Sequence, residues 1–493
     1  MSETQTHLLA TKRFLPLFVT QALGALNDNL FKNALALLII FRIAEMAEID
    51  GQLMVTTAAG LFILPFFLFS ATAGQIADKF EKSRLIRTIK VAEVAIMGLG
   101  AAGLIFGNVT YLMTVLFLMG MQSAFFGPVK YSILPDHLSE DELVGGNGLI
   151  EAGTFLAILT GTIAGGLLIL QDNGTVIVAS GVMLVALAGL ASSFAIPKAP
   201  APAPDMKLNP NILAETWSIV RKAGAQRGIF LSILGISWFW LVGATFLAQF
   251  PAFAKDVLGG DETVVTLFLT LFSVGIGAGS LLCNRLLDGE VTARYVPLAA
   301  IGMTVFIADL FFASTGRVPS AELTDAVSFV SAAAHWRIVF DLFAIAICGG
   351  LFIVPLYAIL QTRSEETFRS RIIAANNILN ALFMVAGAAT AALLLTLGCS
   401  VPAIFLALAI GNGIVAIYVC GLLPDTLTKG LAISLLKLLY RVEIKGMKHY
   451  AQAGKRAVIV VNHISFLDAI ILAAFLPIKP MFAVNMHIAQ HWW

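Results

Sequence analysis

Gly74-Gln-Ile-Ala-Asp78-Lys79-Phe80-Glu81-Lys82-Ser83-Arg84 is the stretch on which the fold turns. It joins two long apolar runs, at about 51–77 and 86–107, and packs acids and bases into a short connection. The glycine leaves room for a neighbouring helix to approach closely. Asp78 falls near a helix end, where a carboxylate can meet a base or a helix dipole across an interface. The bases after it mark a loop held on the positive side of a membrane.

Composition agrees. The chain of 493 residues is 58% hydrophobic and 12% charged, with mean hydropathy +0.89, whereas a soluble domain carries roughly 25% charged residues. Length alone suggests about three soluble domains, but one membrane domain absorbs most of this sequence. A span needs about 20 apolar residues. Twelve are expected, near 14–41, 51–77, 86–107, 110–133, 146–170, 174–196, 228–252, 263–286, 293–313, 337–360, 373–397 and 400–423. The first run is too long for the apolar region of a cleavable signal, which is roughly 7–15 residues. Between the sixth and seventh lies Pro197-Lys-Ala-Pro-Ala-Pro-Ala-Pro-Asp205, a stiff linker, followed by an amphipathic stretch at Asn211–Lys222. The expected organisation is a six-helix half at 1–196, a cytoplasmic linker and amphipathic helix at 197–227, a second half at 228–423 and a separate tail at 424–493.

Orientation follows from where Lys and Arg fall. With the N-terminus inside, the inner segments before the tail hold eighteen, from Lys12 and Arg13 to Arg369 and Arg371. The outer loops hold four: Arg42, Lys255, Arg317 and Arg337. This asymmetry predicts both termini on the cytoplasmic side. The net charge of +1 gives no reason to expect a nucleic-acid partner. Cys283, Cys348, Cys399 and Cys420 lie in or beside apolar runs with no CxxC pair. They read as small buried side chains, and neither a metal nor a cofactor is expected.

A weak internal repeat supports two related halves. Phe126-Gly-Pro-Val-Lys-Tyr-Ser-Ile-Leu134 matches Phe352-Ile-Val-Pro-Leu-Tyr-Ala-Ile-Leu360, with Tyr131 against Tyr357, and Asn147 and Asn376 opening the next spans. With this repeat, the loop at Gly74, Asp78 and Lys79 resembles the signature of the major facilitator superfamily. The resemblance implies an all-α membrane protein of twelve helices in 6+6 parallel repeats, the loop motif acting in gating. Glu81 stands where that family usually has Gly. The counterpart Gly279-Ser-Leu-Leu-Cys283-Asn284-Arg285 has no acid.

Charges inside spans are costly and read first as functional. The first span holds Asn27-Asp28-Asn29-Leu-Phe-Lys32-Asn33. Asp28 and Lys32 are one turn apart on one face, so the expectation is a partly self-neutralising pair facing a cavity and anchoring a zwitterionic head group. Phe31, Leu35 and Leu38 would continue that wall for an acyl chain. Lys130, beside Pro128 and Tyr131, offers a point charge to a phosphate. Glu151 and Asp341 are candidates for the cavity wall or for helix packing, as are Glu93 and Asp309. Gly161-x-x-x-Gly165-Gly166 reads as small-residue packing.

After Pro424 the texture changes: residues 424–493 hold eight Lys and Arg, three Asp and Glu, and four of seven His. Leu431–Leu439 reads as an interfacial helix, Arg441–Gly446 as a strand, and Ala457-Val-Ile-Val-Val461 as a buried strand. That strand leads into Asn462-His463-Ile-Ser465-Phe-Leu-Asp468 and a helix at Phe466–Phe475, capped by Ser465. His463 would then stand at the strand end with Asp468 one turn inside the helix, able to orient its imidazole. A histidine held this way can deprotonate an alcohol, as acyl transfer to a glycerol hydroxyl requires. The segment resembles the His-x4-Asp glycerophospholipid acyltransferases. Together with Phe475-Leu-Pro-Ile-Lys-Pro-Met-Phe-Ala-Val484, it resembles the acyltransferase part of 2-acylglycerophosphoethanolamine acyltransferase/acyl-carrier-protein synthetases. Asp28-Asn29, Pro-Val-Lys130-Tyr-Ser-Ile-Leu and Asn147-Gly-Leu-Ile-Glu151-Ala likewise resemble the bacterial lysophospholipid transporters. These resemblances imply lysophospholipid transport across a bacterial inner membrane, with Asp28, Asn29, Lys32, Lys130, Tyr131 and Glu151 at the substrate. They further imply re-acylation, with acyl-carrier protein as partner. The domain ends before a second family motif is reached, so this chain is not expected to catalyse the transfer alone. The alternatives are a generic exporter of drugs or small metabolites, and a membrane anchor for an enzyme.

Overall fold

The computed structural model describes residues 3–40, 51–317, 323–440, 442, 458–462, 465 and 467–476. Twelve long helices run through it: Leu15–Leu38, Gly51–Lys79, Lys82–Phe106, Val109–Ser132, Glu140–Ile169 and Gly174–Ser193, then Arg227–Ala252, Glu262–Leu287, Val296–Ser314, Trp336–Arg363, Arg369–Thr396 and Val401–Leu422. Eleven are long and apolar enough to cross a membrane. The remaining one, Leu15–Leu38, has 24 residues and so rises about 36 Å. Its polar centre, Asn27-Asp28-Asn29 and Lys32-Asn33, keeps it from passing on hydropathy. The fold is a helical membrane bundle, and no strand occurs among the described residues.

The packing order repeats. The first helix lies on the fifth, the second on the fourth and the third on the sixth. In the same pattern the seventh lies on the eleventh, the eighth on the tenth and the ninth on the twelfth. The most extensive crossings between the sets are fifth with eighth and second with eleventh, with the fourth also on the eleventh and the fifth on the tenth. The first and fifth helices meet through glycines: a Cβ on Gly161 would fall 2.4 Å from the Leu26 carbonyl oxygen, and one on Gly165 2.4 Å from that of Leu30. The small-residue reading of this segment therefore holds.

Caps move two helix starts outward from the apolar windows. Glu81 opens the third helix at Lys82, and a Ser139–Glu142 capping box opens the fifth at Glu140. Lys82 therefore lies on the third helix, and Lys90, counted with the inner bases, lies two turns further along it; each is 1% exposed. The linker is docked, not free: Lys82 N–H donates to Ala199 O at 3.1 Å and Ala203 N–H to Asp78 O at 2.9 Å. Gln75 and Asn209 exchange bonds of 3.2 and 2.7 Å. Asn211 then caps the helix Ile212–Ala225.

In the tail, helices Pro424–Leu439 and Leu467–Phe475 share a small apolar contact of Ile433, Leu436 and Ala474. The buried strand expected at Ala457–Val461 is not found: 458–461 have no regular structure, and Val458 and Val460 are 92% and 91% exposed. A strand needs a hydrogen-bonding neighbour, and the described residues supply none. Arg441 and 443–446, the other expected strand apart from Val442, lie outside the described residues, as does His463. Of the cysteines only Cys283 is fully buried; the other three are partly exposed.

Candidate transport site

In the polar centre of the first helix, Asp28 and Lys32 face the fourth and second helices, while Asn29 and Asn33 lie against the fifth. Asp28 and Lys32 form no ion pair among the described residues, contrary to the sequence expectation. The Ser123 hydroxyl donates to Asp28 Oδ2 at 2.7 Å, while Lys32 Nζ stands 4.3 Å from the centroid of the Phe62 ring. Spacing of four residues brings two side chains to one face, but neighbouring helices supplied nearer partners. Asn29 turns its amide back to Ala25 O at 2.7 Å. Asp28, Asn29, Lys32 and Lys130 are all partly exposed, so a space between the helices reaches them.

Lys130 Nζ lies 4.5 Å from the Tyr131 ring centroid. Tyr131 is buried and stacks on Tyr357, centroids 4.3 Å apart and planes 6° from parallel. The two repeat-matched tyrosines thus meet face to face between the fourth and tenth helices. Tyr131 also donates its hydroxyl to Glu151 Oε1 at 2.5 Å. Glu151 is fully buried, so it acts behind the tyrosine, not on an open wall. Trp240 extends the aromatic layer, stacking on Phe155 with centroids 6.0 Å apart and directing its indole N–H to Tyr357 Oη at 3.5 Å.

Phe31, Leu35 and Leu38 do not line this space. They are 0%, 0% and 6% exposed and belong to the packed core of the first six helices. Phe62 and Phe66 of the second helix, rings 5.9 Å apart, supply apolar surface beside Lys32 instead. Asp341 is 1% exposed, and Asp309 pairs with Arg337 at 2.8 Å; neither joins the site. Sequence reasoning passed over Ser123, Gln122 and Trp240, since single Ser, Gln or Trp residues in an apolar run carry no signal. Lys90 lies inside the expected third span but was counted only among the bases of the inner side.

The loop motif builds the closure between the two sets of helices. Asp78, fully buried, accepts from Ser370 N–H at 3.0 Å and from Arg371 Nε at 2.9 Å. It thereby sits on the N-terminus of the eleventh helix, where the dipole favours an anion. A Cβ on Gly74 would stand 2.8 Å from Ala374 Cβ, so the second helix needs glycine there. Lys79 is half-buried at the edge. Lys82 Nζ reaches Asp136 at 2.5 Å, and Arg369 approaches the same carboxylate at 3.5 Å. Gln361 and Asn147 exchange bonds of 2.7 and 3.0 Å. On the related side, where the acid is missing, Asn284 lies against Gly145 of the fifth helix.

Glu81, the departure from the loop signature, is explained locally. Burial pushes its carboxyl up, but N–H groups of Ala199, Ser83 and Arg84, at 2.8, 3.0 and 2.9 Å, outweigh this and hold it below the usual carboxylate value. In the tail, Asp468 accepts from Ser465 N–H at 2.9 Å while Ser465 Oγ accepts from Leu467 N–H at 3.2 Å. These two bonds form a reciprocal cap on the last helix.

Known proteins point the same way. The family model described as Major Facilitator Superfamily matches residues 17–331. The lysophospholipid transporter LplT of Escherichia fergusonii is 29% identical over 364 residues, covering 73% of this chain and 82% of that protein. That of Serratia proteamaculans is 28% identical over 364 residues, with the same coverage. Among solved structures, the human organic anion transporter aligns with a TM-score of 0.65 at 12% identity, over 83% of this chain and 98% of its own. The Escherichia coli fucose:proton symporter aligns with 0.60 at 14% identity, over 82% and 97%. At such identities the structures speak for the fold alone.

Proposed function

The chain belongs to the major facilitator superfamily, and from that premise we propose that it is a lysophospholipid transporter. The observation that carries this reading is that two opposite charges, Asp28 and Lys130, are left without an ion-pair partner among the described residues. They lie on the first and fourth helices, both partly exposed. A carboxylate and an ammonium left open to one cavity fit the ammonium and phosphate of a zwitterionic lysophospholipid head group such as lysophosphatidylethanolamine. Phe62 and Phe66 give its single acyl chain an apolar wall. The relatives named lysophospholipid transporters support the substrate class. A generic exporter of apolar drugs has no need of opposite charges in one wall.

The protein sits in a bacterial inner membrane with both termini in the cytoplasm, divided at about 1–196, 197–227, 228–423 and 424–493. On this orientation the closure at Asp78, Lys82 and Tyr131 is cytoplasmic, and the cavity opens outward to collect substrate. Asp78, with Gly74 and Lys79, acts in opening and closing. The transported lipid is delivered to the inner leaflet for re-acylation. His463 and Asp468 belong to the acyltransferase segment that would carry this out, supplied by acyl-carrier protein. The support for that step is the His-x4-Asp spacing alone. Its test is acyl transfer from acyl-carrier protein to lysophosphatidylethanolamine by the membrane-embedded protein, which His463→Ala should abolish while uptake continues.

Competition tests the transport reading. Uptake of labelled lysophosphatidylethanolamine into proteoliposomes should be inhibited by other zwitterionic lysophospholipids. Glycerophosphoethanolamine, which lacks the acyl chain, and apolar drugs should leave it unchanged. Inhibition by apolar drugs with none by lysophospholipids would favour the generic exporter.

A further inference from the structure

Behind Asp28 runs a buried polar chain that the head-group reading does not use. Lys90 Nζ and Glu93 Oε2 are 2.5 Å apart on the third helix, at 1% and 2% exposure. Lys90 is threaded between two other helices at glycines: a Cβ on Gly24 of the first would lie 3.1 Å from Nζ, and one on Gly189 of the sixth 3.0 Å from Cε. The ring of Phe126 lies 5.7 Å from the ammonium. Glu93 Oε2 also accepts from Gln122 Nε2 at 2.9 Å. A carboxylate ion-paired with Lys90 can only accept, so the amide nitrogen of Gln122 must face Glu93 and its carbonyl must face the other way. That carbonyl oxygen stands 3.2 Å from Ser123 Oγ, whose hydroxyl already donates to Asp28 at 2.7 Å.

Ser123 therefore has one proton and two acceptors within reach. We propose that Lys90 and Glu93 are positioning residues which, through Gln122, give the Ser123 hydroxyl a second acceptor. Asp28 can then exchange that hydrogen bond for a substrate ammonium. When the head group arrives, the hydroxyl turns from Asp28 to the Gln122 carbonyl, and no buried donor is stranded. When the substrate leaves, the hydroxyl returns and Asp28 is again satisfied. Without the ion pair, the amide of Gln122 is free to turn over and donate to Ser123. The hydroxyl then has Asp28 as its only acceptor, and the substrate must compete for the carboxylate. This inference rests on the reading of Asp28 as the ammonium anchor.

The test is uptake kinetics for lysophosphatidylethanolamine in proteoliposomes holding the full chain. Lys90→Leu/Glu93→Leu removes both charges together and leaves neither buried alone. Lys90→Met/Glu93→Gln serves as a second pair if the first fails to fold. The expected result is a KM raised about five- to tenfold, the scale of one exchanged hydrogen bond, with Vmax changed less than about twofold. On a Ser123→Ala background the same pair should leave KM unmoved, because the two changes act through one hydroxyl. An unchanged KM, or effects of the pair and of Ser123→Ala that multiply independently, overturns the proposal. Asp28→Ala separates the two readings. Loss of uptake there with no KM response to the pair sinks the positioning role alone. Wild-type uptake there removes the head-group reading and this inference together.

Discussion

A carboxyl group in the middle of a membrane helix is tolerated only where polar partners meet it, and among the described residues Asp28 has one hydrogen-bond donor, the Ser123 hydroxyl. That leaves lone pairs free for a ligand. Asp28→Ala and Lys130→Ala should each weaken lysophospholipid uptake about ten- to a hundredfold, since a charge-assisted hydrogen bond contributes roughly 1.5–3 kcal/mol. Protein levels in the membrane should be unchanged, as neither residue forms an ion pair that packs helices among the described residues. Lys130→Arg should be milder, keeping the charge while altering donor geometry. Wild-type uptake in both Ala variants would remove them from the site. The polar run around Asp28 was legible in the sequence because polar residues inside an apolar segment stand out. Its partners were not. Which helix supplies Ser123 or Phe62 depends on packing that spacing does not encode, so the expected Asp28–Lys32 pair gave way to contacts with two other helices.

The twelve long helices were legible in number and approximate extent, because the length of an apolar run measures a membrane. Their starts were less so, because caps are set by single side chains. Glu81 is the case in point, capping the start of the third helix and accepting from Ala199 N–H of the linker at 2.8 Å. Glu81→Ala should cost about 1 kcal/mol, as helix caps do, and should release the linker. Faster proteolytic nicking between Lys198 and Asp205 measures this; an unchanged rate would show that the linker docks without Glu81. Packing glycines give a sharper result. Gly161→Leu drives a side chain into the Leu26 carbonyl and should destabilise the bundle by roughly 1–3 kcal/mol or more, read as a lower unfolding temperature in detergent. The helix ends carry the topology prediction. Cysteines placed near Asp172 and Asp261 should react with an impermeant reagent from outside, and those near Lys82 and Ser364 should not. Labelling at Lys82 from outside would invert the orientation.

For the molecule as a whole, the hydrogen bonds, ion pairs and ring stacks that join the two helix sets gather toward one end. They include Asp78 with Ser370 and Arg371, Asp136 with Arg369, Asn147 with Gln361, and Tyr131 with Tyr357. These contacts must break and re-form if substrate is to leave by that end. Asp78→Asn should weaken the closure by removing the charge that faces Arg371 and the eleventh-helix dipole, and the change should appear as altered transport rate more than altered KM. The two-set architecture was legible because its repeat brings Tyr131 and Tyr357 into corresponding spans. The tail was less so: its buried strand was read from an apolar run alone, and such a run becomes a strand only when another pairs with it. The central claim is that this membrane bundle moves lysophospholipids through a cavity that contains Asp28 and Lys130. The most direct test is the flux of labelled lysophosphatidylethanolamine across proteoliposome membranes holding the purified chain. The account predicts flux well above that of empty liposomes, reduced about tenfold or more by Asp28→Ala and by Lys130→Ala; flux equal to that of empty liposomes, or flux indifferent to both substitutions, would contradict it.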